Sequence, residues 1–261
     1  MCFGFDAHPP DLPPDLVRPA LAGGAGAEIL ELTSADGTRF SAALAQAPEG
    51  SATGVVILPD VRGLYRFYVE LAERFAAAGH SAIAIDYFGR TAGTGERDED
   101  FDFMPHVAQT RVDQVQADVA AALEALRERT GVTATVTVGF CFGGGQSFVA
   151  ATSAALDLDG AVGFYGRLVP SREGAPAPIE HAADTRCPVL GLFGGADEAI
   201  PADEVEAFDS ALDESGVQHE IITYPGAPHS FFDRSYTEHA QASEDAWRRV
   251  LAFLQQTTAR G

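Results

Sequence analysis

Short β-branched apolar runs alternate along this chain with longer segments of helical spacing, and that alternation narrows the possible folds more than any other feature. Residues 54–58 (GVVIL) and 81–85 (SAIAI) bracket residues 65–78, where Phe67, Leu71 and Phe75 recur at the helical interval. The pattern continues with runs at 133–138, 160–164, 188–193 and 217–224. Helical segments are predicted over 105–129, from Gly143 onward, over 201–215 and, closing the chain, over about 238–254. Short strands that are apolar on both faces must be covered on both faces, and parallel neighbours need helical crossovers. The expectation is an α/β fold with a mostly parallel central sheet and helices on both faces. Ahead of this series, residues 28–33 and 38–45 flank Ala35-Asp36-Gly37, which reads as a β-hairpin with an Asp-Gly turn.

At 261 residues the chain can bury one large core, so residues 26–261 are expected to form a single domain. Residues 1–25 hold Pro9, Pro10, Pro13 and Pro14 followed by Gly23 and Gly24, and are expected to run irregularly over the surface as an extension. No apolar run approaches the roughly 20 residues that span a bilayer. The start Met1-Cys2-Phe3-Gly4-Phe5-Asp6 carries no basic residue, so a cytoplasmic protein is expected. The net charge is -21, from 38 acidic residues against 17 basic ones that are all arginine. Such a surface repels phosphate backbones and anionic membranes, which excludes nucleic acid and lipid as natural partners. Arginine without lysine fits a GC-rich coding sequence better than adaptation to high salt. Cys2, Cys141 and Cys187 form no CxxC pair, which argues against a disulfide framework and a zinc site. No metal or organic cofactor is implied.

In open α/β sheets the reacting groups lie in loops beyond the carboxyl ends of the strands. After the run ending at Val138 comes Gly139-Phe140-Cys141-Phe142-Gly143-Gly144, the G-x-S-x-G elbow pattern with cysteine in the nucleophile position. Glycines two before and two after Cys141 let the backbone turn sharply. The Phe142 amide at the following helix N-terminus can stabilise a thiolate and an oxyanion. The bland alternative is a buried free cysteine at a glycine-rich turn, and the flanking spacing favours the nucleophile. A triad then needs an acid and a histidine later in the chain. Asp197, in Gly194-Gly195-Ala196-Asp197, follows one strand and precedes the helix opened by Pro201. His229, in Pro228-His229-Ser230-Phe231, is the one histidine of seven in a loop after a late strand.

With these three motifs in place the chain resembles the dienelactone hydrolase family of α/β-hydrolases, over about residues 28–254. The resemblance implies hydrolysis of a small-molecule lactone or ester through a Cys141 acyl-enzyme. It implies the Val61 amide as second oxyanion donor and an acid that holds the resting thiol. That position is Asp60 here, one methylene shorter than the family's Glu. It further implies two arginines for a substrate carboxylate. One corresponds to Arg90; the other is expected four residues after the histidine, where Asp233 stands with Arg234 next. Two rivals remain: a broader esterase or thioesterase without carboxylate selectivity, and a ligand-binding member of the fold without turnover. A monomer or small homo-oligomer is expected.

Overall fold

The computed structural model describes residues 7–16, 26–233 and 235–258. Eight strands, β1 (Glu28–Thr33), β2 (Arg39–Ala45), β3 (Thr53–Leu58), β4 (Ala82–Ile85), β5 (Ala134–Phe140), β6 (Gly160–Phe164), β7 (Val189–Gly194) and β8 (His219–Tyr224), form one sheet in the order β1-β2-β4-β3-β5-β6-β7-β8. The β1–β2 and β2–β4 pairings are antiparallel and every later pairing is parallel. The Asp-Gly hairpin is present, with Thr33 opposite Arg39. This is the α/β-hydrolase architecture that the alternation of runs predicts.

The helices are α1 (Arg66–Ala77), α2 (Gly89–Ala92), α3 (Met104–Val107), α4 (Val112–Thr130), α5 (Phe142–Ala150), α6 (Pro178–His181), α7 (Ala202–Ser215) and α8 (Ala240–Thr258). Successive strand residues face opposite sides, and the core divides accordingly. Val55, Ile57 and Ala84 join the cluster holding Phe75 of α1 and Trp247 of α8. Val56, Leu58, Ile83 and Ile85 join that of Val115, Val119 and Leu123 on α4. Every residue of β3, β5, β6 and β7 is buried, which is why these strands read as continuous apolar runs. Among the described residues no helix is long and apolar enough to cross a membrane.

Two expectations are corrected. The helix predicted over 105–129 is two helices, because Arg111 is extended at φ -125, ψ 147. The Arg172 guanidinium donates to the carbonyl oxygens of Val107 and Thr110, both at 2.7 Å, and holds the chain out of helical register there. Residues 7–16 are also more than a surface extension. Leu12 is buried in the main core, Trp247 Nε1 donates to the Pro10 carbonyl at 3.3 Å, and Asp11 and Asp15 pair with Arg74 of α1 and Arg248 of α8. This strap ties the first helix to the last. Its ion pairs are exposed and contribute little, so the buried leucine carries most of its stabilisation. Leu12→Ala is therefore expected to lower unfolding free energy by about 2–3 kcal/mol in urea titration. A midpoint equal to that of the parent would show that the strap packs without stabilising.

Candidate active site

The strand β5 enters α5 through Cys141, whose φ of 53 and ψ of -110 lie where L-residues are strained. Two glycines make the turn possible. A Cβ at Gly139 would stand 1.9 Å from the Gly143 carbonyl oxygen, and one at Gly143 would stand 2.0 Å from that of Leu58. The Cys141 amide donates to Phe164 O at 3.0 Å, and the Cys141 carbonyl accepts from Gly144 N at 3.0 Å. The side chain is thereby held at the N-terminal end of α5, where helix amides lack intrahelical acceptors. Phe142 supplies the first of these amides, and Val61, on the loop after β3, lines the same cavity as Cys141 and Phe142.

Asp197 and His229 reach this point from the ends of β7 and β8. Their loops are joined backbone to backbone, Gly195 N donating to Tyr224 O at 2.8 Å and Ala196 N to Ala227 O at 2.9 Å. The buried Asp197 accepts the Ala199 amide at 2.8 Å through Oδ1 and meets His229 Nδ1 at 2.6 Å through Oδ2. His229 also hydrogen-bonds Cys141. Burial pushes the imidazole pKa down, but the bonds to Asp197 and to Cys141 outweigh it and raise it to about 10. The folded-state value lies above the unfolded one, so this stabilisation is complete below about pH 6.5 and is lost as pH rises toward about 10. Asp197→Asn keeps the shape and removes the charge. It is expected to lower the His229 pKa by at least about one unit in an NMR titration of the ring. An unshifted titration would assign the elevated pKa to Cys141 alone.

Asp60 is fully buried, and its two oxygens take the Arg62 amide at 2.8 Å, Nε at 3.4 Å and Nη2 at 3.0 Å. Asp60 is thereby engaged by Arg62, on the loop that also carries Val61. Arg90 corrects an expectation. Its guanidinium binds Asp118 at 2.7 and 2.9 Å, Asp36 at 2.8 Å and Ser34 Oγ at 3.2 Å, joining the hairpin turn to α4, and it does not line the cavity. Arg234 lies outside the described residues.

The cavity beside Cys141 and His229 measures about 680 Å³. Among the described residues its arginines are Arg62, Arg167 and Arg172, none of which the sequence singles out. Arg167 could have been found, because Tyr165-Gly166-Arg167 directly follows β6 and so lies at a strand's carboxyl end. Tyr165 belongs to the site as well: its ring lies 5.0 Å from that of His229, and its hydroxyl donates to Asp233 at 2.8 Å. Among the described residues no group of His, Cys, Asp and Glu could hold a metal ion.

Comparison with known proteins agrees with this fold. The model of the dienelactone hydrolase family matches residues 40–258. A relative from Escherichia coli (strain K12), provisionally named a carboxymethylenebutenolidase, is 32% identical over 217 residues, covering 80% of this chain and 78% of its own. The crystal structure of a protein from Klebsiella pneumoniae, provisionally named a dienelactone hydrolase, superposes with a TM-score of 0.75 at 28% identity, over 88% of this chain and 99% of that one. A dienelactone hydrolase-like promiscuous phosphotriesterase from metagenomic libraries shares the fold, with a TM-score of 0.71 at 23% identity over 89% of this chain and 99% of its own. The chain belongs to the dienelactone hydrolase family and is a hydrolase of that family.

Proposed function

We propose that the protein hydrolyses a small carboxylic ester or lactone through an acyl-enzyme on Cys141. The observation that carries this reading is the imidazole of His229 bonded to Asp197 Oδ2 at 2.6 Å and to Cys141, at the wall of a cavity. The thiolate attacks the carbonyl carbon, and the developing oxyanion is received by the Phe142 and Val61 amides. Collapse breaks the ester C–O bond while His229 hands its proton to the departing oxygen. A water molecule, deprotonated by His229, then attacks the thioester and releases the acid and the thiol. Asp197 keeps the ring oriented and favours its cationic form. The cytoplasm, which keeps thiols reduced, suits such a nucleophile. The engagement of Arg90 with Asp118 and Asp36 favours the broader esterase or thioesterase reading over strict carboxylate selectivity.

Cys141→Ala is expected to abolish turnover, by about four orders of magnitude or more, with an unchanged melting profile. Intact-mass analysis of the parent with an activated ester should find one acyl group, on Cys141. Full activity in the alanine variant would sink the triad reading. Cys141→Ser should also be poor, because a hydroxyl is far harder to deprotonate than a thiol.

Asp60→Asn tests whether that acid acts on Arg62 or on the Cys141 thiol. Removing its charge leaves Arg62 buried without a counter-ion and is expected to cost about 3 kcal/mol or more in stability. The alkylation rate of Cys141 by iodoacetamide should stay within about twofold if Asp60 acts only on Arg62. A severalfold acceleration would show that the carboxylate restrains the sulfur.

A further inference from the structure

The wall of the cavity has a composition and a support that the reaction at Cys141 does not require. Phe103, Met104 and Val107, from α3 and the residue before it, line one part; Phe142, Val169 and Pro176 add to the apolar surface. Met104 is 60% exposed and, with Ile29, is one of two large hydrophobic side chains exposed to that degree among the described residues. Unlike Ile29, it borders the cavity that holds the reactive thiol. An apolar side chain left in water at a cavity mouth becomes favourable when a ligand covers it.

A guanidinium and an aromatic stack hold this wall in place. Arg172, in the segment after β6 that also brings Val169 and Pro176, donates to Val107 O and Thr110 O at 2.7 Å and to Thr110 Oγ1 at 3.1 Å. From behind, Phe101 stacks on His106 at 5.0 Å between ring centres and meets Phe88 at 5.6 Å. The α3 turn is thus clamped between an aromatic stack and a guanidinium.

The cavity's cations among the described residues are largely engaged within the protein. Arg62 pairs with Asp60 and Arg172 donates to carbonyl oxygens, while Arg167 is exposed. The volume of about 680 Å³ falls in the range of roughly 300–1,000 Å³ typical of sites that enclose drug-sized ligands.

We propose that the cavity is shaped for an ester or thioester bearing a medium-length apolar acyl chain, with Phe103, Met104 and Val107 as the acyl wall and Arg172 as the positioning residue that holds it. This inference rests on the acyl-enzyme reading and names its substrate class. The bonds made and broken at Cys141 are the same for every chain length: sulfur–carbon forms, carbon–oxygen or carbon–sulfur breaks, and the His229 proton goes to the leaving group. Chain length changes only the apolar surface taken out of water as the acyl group meets the wall, up to ~4-fold in kcat/KM per methylene.

The test is a series of p-nitrophenyl esters from acetyl through butanoyl and hexanoyl to octanoyl. With the parent protein, kcat/KM is expected to rise at least about tenfold from acetyl to octanoyl, a small fraction of the full burial limit. Met104→Asp should cut the octanoyl-to-acetyl ratio about tenfold, since a carboxylate then meets the chain. Arg172→Met should cut the ratio mainly by raising KM for octanoyl, and Arg172→Lys, which retains a donor for one carbonyl, should restore part of it. Should Arg172→Met fail to fold, Met104→Asp at its exposed position still decides the matter. A flat chain-length profile with an acyl adduct on Cys141 overturns the inference and leaves the acyl-enzyme reading standing. A half-ester of a dicarboxylic acid that outruns the alkyl ester of equal length, with the order reversed in Arg167→Ala, also overturns it, because the cavity then reads charge. No adduct with any member of the series removes both readings together.

Discussion

The positive φ of Cys141 is the constraint on which the geometry of the site depends. A non-glycine residue held in such a conformation costs on the order of 1–3 kcal/mol, so its surroundings must fix it. Two neighbouring strand ends do so. The Cys141 amide bonds the last carbonyl of β6, and the backbone of Gly143 presses against Leu58 O at the end of β3, where no Cβ could fit. The loop after β3 is consequently seated against the start of α5. That places Val61 and Phe142, some 80 residues apart in the chain at positions 61 and 142, on the wall of one cavity with Cys141.

A second layer of order comes from buried charges in the loops after β3 and β4. Asp60–Arg62, Asp86–Arg97 and Asp118–Arg90 each place a fully or nearly fully buried carboxylate against a guanidinium. Such pairs contribute little net stability once desolvation is counted, but breaking one leaves an uncompensated interior charge. Asp86 illustrates the ordering effect. Its carboxylate also accepts the amides of Leu64 and Phe88, fixing the loop after β3 to the end of β4, and Gly63 at φ 76 leaves room for it. With 38 acidic residues against 17 arginines, an inward-facing arginine finds a carboxylate within the chain. Arg90 is an instance: it stands at the position that resemblance gives to substrate binding and is occupied instead by Asp118 and Asp36.

The difference between Cys141 and Arg90 shows what a sequence can reveal about such a site. The sheet is legible because burial on both faces leaves a local imprint, runs such as GVVIL, and the elbow because its backbone geometry demands glycines at fixed offsets from Cys141. Asp197 and His229 are legible because strand ends can be located and few candidates stand there. The misplaced readings depend on partners distant in sequence. Arg90 meets Asp118 28 residues away, the break between α3 and α4 is held by Arg172 from 62 residues beyond Thr110, and Leu12 is buried by a fold that starts after it. Neither periodicity nor motif spacing encodes such pairings.

The two halves of the site differ in how they are held, and that difference bears on how such an enzyme can change its substrates. The proposed triad stands on strand ends: the acid and histidine loops are bonded to one another through their backbones, and Tyr165 links the His229 ring to Asp233. Moving any one member would disturb β6, β7 or β8. The apolar wall rests on a four-residue helix, an aromatic stack and one arginine, outside the sheet. Short elements with few buried apolar contacts open and rearrange at lower free-energy cost than core strands. The chemistry is therefore built where displacement is expensive, and recognition where sequence can vary without disturbing the nucleophile. On this scaffold the cavity wall between residues 101 and 110 and around Arg172 can vary while Cys141 keeps the same turn.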